Sequence, residues 1–283
     1  GLELRSDLIS HHIFHFYSIH SLSRDSLWSK YMKLFHRKHV LPLSLCLIIT
    51  LLGGFFISHS SSVPASAVIE NRKLPIYCVS TEKPQVSISF DAAWGNDDTE
   101  ELLSILAQYQ VKTTFFMTGG WVSAYPDDVK AIAAAGHDLG NHSENHKQMS
   151  QLSAEECQKE IQSVHDRVKE LTGQEMCLFR PPYGDYNDTL IEAAEALHYY
   201  TIQWNCDSLD WKNYGADAIV SRILDSEHLG NGSIILMHNG AKYTKDALPR
   251  VIEGLHAKGY EIVPVSQLIY RDHYEMDHEG RQF

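Results

Sequence analysis

Several short stretches of this sequence place chemically useful side chains directly behind apolar runs. Asp91 stands in Ser-Phe-Asp-Ala-Ala-Trp-Gly, where a carboxylate near a cation can take a proton from a bound water. An isolated Asp at such a place more often starts a turn or caps a helix. His142 and His146 stand in Asn-His-Ser-Glu-Asn-His. A spacing of four puts both imidazoles on one side of a helical turn, within reach of one cation. On its own the pattern is weak, and two partly exposed loop histidines are the competing reading. His238 ends the run Ile-Ile-Leu-Met-His. Beside an apolar strand it is either a core histidine satisfied by a carbonyl, or a general acid whose pKa is raised by a carboxylate such as Asp207. Arg180 would brace Asp91 or Asp207 as an ion pair, although surface pairs of that kind are commoner. Trp211 and Tyr183 offer flat faces to a sugar ring, or serve as ordinary core.

The elements that must position these groups alternate in type. Residues 86–90, 113–117, 137–141, 177–179, 199–203, 233–237 and 261–265 read as short strands. Residues 99–109, 127–135, 153–171, 188–197, 216–226 and 244–258 read as helices. Ser153 and Glu156 form a capping box, and Gly136 and Gly259 end their helices. Repeated strand-then-helix units imply a parallel sheet covered by helices. About seven of them predict a distorted (β/α) barrel, closed or nearly so, with its chemistry at the C-terminal ends of the strands. Asp91, His142, Arg180, Asp207 and His238 each fall at such an end, so one pocket would collect them.

The net charge of −12 argues against a nucleic-acid partner. The five cysteines, Cys46, Cys78, Cys157, Cys177 and Cys206, lack CxxC spacing, so a zinc knuckle is not expected. A disulfide is open outside the cytoplasm. The sharpest break in composition lies before residue 70. Met32 opens a basic run, residues 40–57 are almost wholly apolar, and Ala65-Ser66-Ala67 is a small-residue cleavage site. Residues 32–67 are therefore a signal peptide or a retained membrane anchor, with Lys33, Arg37 and Lys38 sending the remainder outward. Residues 1–31 are expected to be an upstream artefact or disordered, 68–83 a linker, 84–270 the domain, and 271–283 a frayed polar tail.

Taken together, the motifs resemble the NodB-homology polysaccharide deacetylases, carbohydrate esterase family 4. The resemblance rests on Ser89-Phe90-Asp91-Ala92-Ala93, His142-Ser143-Glu144-Asn145-His146, Arg180-Pro181-Pro182-Tyr183-Gly184, Asp207-Ser208-Leu209-Asp210-Trp211 and Leu236-Met237-His238. It implies Asp91 as catalytic base, His238 as catalytic acid and the Tyr183 N–H as oxyanion donor. It also implies Arg180 and Asp207 as bracing groups, and His142 and His146 as ligands of zinc, cobalt or nickel. The expected substrate-facing residues are Trp211, Leu236, Pro182, Tyr183 and Asp210. One departure is chemical: Ala92 occupies the place of the family's third metal ligand, and Asp97 or Asp98 would either substitute or simply start the next helix. The Phe-Asp-Ala-Ala-Trp-Gly segment is similar to spore-associated peptidoglycan deacetylases, which makes a cell-wall glycan the expected partner. A catalytically degenerate glycan-binding protein and an amidohydrolase acting on a non-sugar amide are the rival readings.

Overall fold

A computed structural model of the chain describes residues 72–283. The expected leader and the artefact segment lie outside the described residues, as do residues 68–71 of the expected linker; the rest of that linker is not a bare connection, because it carries the buried strand Cys78–Val79. Among the described residues, no helix is long and apolar enough to cross a membrane. The strands are β1 (Cys78–Val79), β2 (Gln85–Ala92), β3 (Thr114–Met117), β4 (Asp138–Asn141), β5 (Leu178–Phe179), β6 (Tyr200–Thr201), β7 (Cys206–Asp207), β8 (Ile234–His238), β9 (Glu261–Ile262) and β10 (Arg281–Gln282). The helices are α1 (Thr99–Gln108), α2 (Gly119–Ala124), α3 (Pro126–Ala134), α4 (Ala154–Thr172), α5 (Asp188–Ala196), α6 (Ala216–Leu224), α7 (Thr244–Ala257) and α8 (Val265–Leu268).

The main sheet is parallel and runs β6-β5-β4-β3-β2-β8-β7, with β9 beside the start of β2. It curls into a half-barrel of the expected class. Its two ends, β6 and β7, follow one another in the chain. Residues 76–78 lie across that opening, where Ile76 bridges Ile202 and Cys78 bridges Ser233.

Strand alternation sorts the side chains into two cores. On β2, Val86, Ile88, Phe90 and Ala92 face the helices and join the larger apolar cluster. Ser87, Ser89 and Asp91 take the other face. On β8, Ile235 and Met237 face the helices, while Ile234 joins the smaller inner cluster with Phe116 and Leu178. β2 is buried on both faces because it is central, as parallel strands usually are. Its serine hydroxyls are satisfied by donating to the carbonyls of Val263 and Ile235, at 2.7 and 2.8 Å.

Ser153 and Glu156 form the expected capping box on α4. Gly173 ends α4 in the left-handed conformation that a residue without Cβ adopts readily (φ 73°). Cys78, Cys157, Cys177 and Cys206 are unbonded. Four elements are not legible as periodic runs: α2, the two-residue β7, β1 and β10. The tail corrects the frayed expectation. β10 pairs with β1, and Gln282 is fully buried. Its side chain accepts from the Tyr270 N–H at 2.7 Å and donates to the Tyr270 carbonyl at 2.6 Å. Composition alone hid this, because the fastening is non-local: the β1–β10 pairing and one buried amide side chain. Gln282→Ala should cost about 1–3 kcal/mol in urea unfolding, since it leaves both Tyr270 backbone groups unpaired; a truly frayed tail would show no change.

Candidate active site

Neighbouring strands bring the base and acid candidates side by side. Asp91 near the end of β2 is in register with His238 at the end of β8. His142 follows β4, and Arg180 follows β5. One pocket of about 390 Å³ is lined by Asp91, His142, His146, Tyr183, Asp207, Trp211, Leu236 and His238, together with Ala93, Trp94 and Trp204. The strand tips therefore converge as the barrel expectation required.

Arg180 lies beneath this pocket and is fully buried. Its guanidinium donates to Asp91 Oδ1 at 2.7 Å, to Ser89 Oγ at 2.9 Å and to the Gln203 carbonyl at 3.1 Å. Its face rests on the Phe116 ring at 4.1 Å. Burial disfavours charge on Asp91, but Arg180 foremost, then His142 and His238, outweigh it and hold the carboxyl below its ordinary value of 3.8. The bracing partner of Asp91 is thus Arg180 itself. Asp207 contributes only at a distance: its Oδ1 accepts from the Leu209 N–H, and it stays at the pocket wall.

His238 is partnered by Asp210 rather than Asp207. Asp210 Oδ1 lies 2.6 Å from His238 Nδ1, and its Oδ2 accepts from the His238 N–H at 2.7 Å and from Thr244 Oγ1 at 2.6 Å. Burial opposes the imidazolium, but the hydrogen bond and charge of Asp210 outweigh it and raise the His238 pKa above 6.5. This corrects two expectations. Asp210 is buried behind the pocket instead of facing substrate, and Asp207 is not the acid's direct partner. The sequence could not choose between two carboxylates three residues apart. The choice is made by the left-handed backbone of Leu209 (φ 49°), which begins the turn carrying Asp210. Pro182 is also buried and does not line the pocket.

The two histidines meet through a loop, not a helical turn. Ser143 and His146 both take left-handed conformations, φ 66° and 52°. The loop is held by Asn141 Oδ1 on the Ser143 N–H, by Ser143 Oγ on the His146 N–H, and by Glu160 of α4 on Asn145. Strained backbone over-determined in this way concentrates at functional sites. His142 Nδ1 faces the Arg180 carbonyl at 2.7 Å, which leaves Nε2 toward the pocket, 3.5 Å from Asp91 Oδ2. That carbonyl contact is the orienting kind that metal-ligating histidines use. Burial lowers the His142 pKa to about 4, so the ring is neutral and able to ligate. The His146 ring lies 5.0 Å from the His142 ring. Among the described residues, however, no three His, Cys, Asp or Glu side chains are grouped to hold a metal ion. The deficit lies at Ala92, whose methyl group has no donor atom and is fully buried in the apolar cluster. Asp98 precedes α1 without capping it, and neither Asp97 nor Asp98 lines the pocket. The residues present thus supply two imidazoles, one ligand short of the three in a catalytic zinc site.

Tyr183 adopts φ 62°, and no group among the described residues accepts from its N–H. Its ring is 67% exposed and packs edge-on against His146 at 4.5 Å. Trp94 and Trp204 are site residues that periodicity missed. The Trp beside Asp91 in Asp-Ala-Ala-Trp was the available signal.

The polysaccharide deacetylase family profile matches residues 79–202. A Bacillus cereus peptidoglycan-N-acetylglucosamine deacetylase is 34% identical over 193 residues, which is 66% of this chain and 89% of that protein. The uncharacterized Bacillus subtilis protein YlxY is also 34% identical, over 195 residues; the alignment covers 69% of this chain and 60% of YlxY. Among solved structures, BA3943 from Bacillus anthracis, described as a CE4 family pseudoenzyme, superposes with TM-score 0.67 at 31% identity and covers 74% of this chain and 70% of that one.

Replacing Arg180 with Met should cost about 3–5 kcal/mol at pH 7, because it strands a buried carboxylate. In the unaltered chain the depressed Asp91 pKa gives stability that is complete above the ordinary carboxylate value and lost as pH falls below it. In Arg180→Met, burial acts with less opposition and moves the Asp91 pKa upward. Urea unfolding should therefore show the gap between the two proteins narrowing from pH 7 to about pH 4.

Proposed function

Because the chain belongs to the polysaccharide deacetylase family, we propose that its pocket hydrolyses N-acetyl groups of a cell-wall polysaccharide, peptidoglycan foremost. The observation that carries this reading is the opposed pairing of two neighbours, a carboxyl on a buried Arg and an imidazole on a buried Asp. Arg180 holds the Asp91 carboxyl below its ordinary value, and Asp210 raises the His238 imidazole above its own, across one pocket. Such a pair suits amide hydrolysis, which needs a base for water and an acid for the amine.

Asp91 takes a proton from the attacking water as its oxygen bonds to the acetamide carbon. The unpartnered Tyr183 N–H offers a hydrogen bond to the oxyanion. His238 gives its proton to the nitrogen as the C–N bond breaks, leaving acetate and a free amine. Arg180 keeps Asp91 in place, and Asp210 fixes the His238 ring so that Nε2 is the free nitrogen. Leu236 and Trp211 wall the acetyl group, with Tyr183 at the rim. His142 and His146 would hold a divalent cation, zinc with cobalt or nickel as alternatives, and such an ion would polarise the acetamide carbonyl. Two imidazoles give weaker binding than a three-ligand site, so the cation requirement should appear only well above stoichiometric metal. The sequence of residues 32–67 supports placing the domain outside the cytoplasm, where peptidoglycan is.

Ala92 favours one other reading, glycan binding without turnover, and a structural neighbour described as a pseudoenzyme gives it weight. Acetate release from peptidoglycan separates the two. Activity should fall on chelation and return with added zinc, cobalt or nickel. Asp91→Asn and His238→Ala should each lower the rate at least about 100-fold. No release from folded protein under any of these metals would leave the binding reading.

A further inference from the structure

Trp94 is placed unlike an incidental surface aromatic. Its indole stacks on the His238 ring at 5.3 Å and 29°, yet it is 50% exposed and lines the pocket. The loop carrying it, residues 93–98, is locked to the residues just after His238 by a buried clamp. Asn239 is fully buried; its Nδ2 donates to the Gly95 carbonyl at 3.1 Å and to Asp98 Oδ1 at 3.3 Å. The Gly240 N–H donates to Asp98 Oδ1 at 2.8 Å, and Thr99 Oγ1 donates to Asn239 Oδ1 at 3.0 Å. Trp121 Nε1 adds a second donor to the Gly95 carbonyl at 3.2 Å. The two loops approach so closely that a Cβ on Gly240, which has φ 86°, would sit 3.1 Å from the Gly95 oxygen.

Asp98 is 5% exposed, and its Oδ2 has no partner among the described residues. Burying a half-satisfied carboxylate and holding a half-exposed indole both oppose stability. Neither makes sense for a loop that only connects β2 to α1. Both fit an aromatic wall fixed in advance, so that a ligand meets a rigid flat face without an ordering cost.

Resting on the deacetylase reading for the class of ligand, we infer that Trp94 is a further substrate-binding residue. It forms the acid-side wall against which an N-acetylhexosamine ring packs, opposite the Tyr183 side of the pocket. Asp98 and Asn239 are positioning residues that hold this wall in place over His238. The sugar is recognised by its apolar ring face, and its amide nitrogen is thereby directed toward His238.

The test is calorimetric binding of tetra-N-acetylchitotetraose to the chelated full chain, with acetate release assayed separately. Trp94→Ala should weaken binding about tenfold, whereas Trp94→Phe should stay within about threefold. Asp98→Ala should also weaken binding and reduce the near-ultraviolet circular dichroism of an immobilised indole. Asp98→Asn should recover both, because its amide oxygen can still accept from the Gly240 N–H. Binding by Trp94→Ala as tight as by the unaltered chain overturns the inference, as does failure of the unaltered chain to bind. The expected binding pattern without any acetate release upholds the wall and defeats the deacetylase reading.

Discussion

A guanidinium buried at the centre of a half-barrel is the constraint around which this structure is arranged. Arg180 has no exposed surface, so its charge must be met from within. Asp91 supplies the counter-charge, Ser89 and the Gln203 carbonyl take further N–H groups, and Phe116 lies under its face. Those partners come from β2, β3 and the segment joining β6 to β7. The pair therefore ties together strands far apart in sequence, and it sets Asp91 in one orientation beneath the pocket. The carbonyl of the same Arg180 orients His142. One residue thus fixes both Asp91 and the first of the two pocket imidazoles.

A second carboxylate performs the opposite task. Asp210 is as deeply buried as Arg180, but its partners are His238, Thr244 and the Trp211 N–H. It favours a positive charge on the imidazole, whereas Arg180 favours a negative charge on Asp91. The two groups stand on adjacent strands in register. The opposite directions of their pKa shifts are thus set by what lies behind each one. His142, with the same side chain as His238 but no carboxylate in hydrogen-bond contact, is pushed by burial to remain neutral.

Much of this was legible in the sequence. The motif residues sit together because each lies at or just after the C-terminal end of its strand, and a parallel sheet brings those ends to one side. The Ser153 capping box and the helix beyond it are local signals, and local signals survive folding. What sequence reading missed is non-local. The choice of Asp210 over Asp207 depends on a left-handed turn at Leu209. The fastening of the tail depends on its pairing with β1 and on one glutamine reaching Tyr270. The meeting of His142 and His146 looks the same in sequence whether a helix or a strained loop performs it. Ala92 was recognisable as a missing ligand, and strand alternation shows that its side chain is now part of the helix-facing core.

Buried partners shift two identical imidazoles in this pocket in opposite directions, His238 up and His142 down. Titrating the histidine ring resonances by nuclear magnetic resonance, with metal removed, tests it most directly. His238 should titrate above 6.5, and His142 should stay neutral until about pH 4. The two histidines titrating together near the ordinary value, or in the reverse order, would contradict the account.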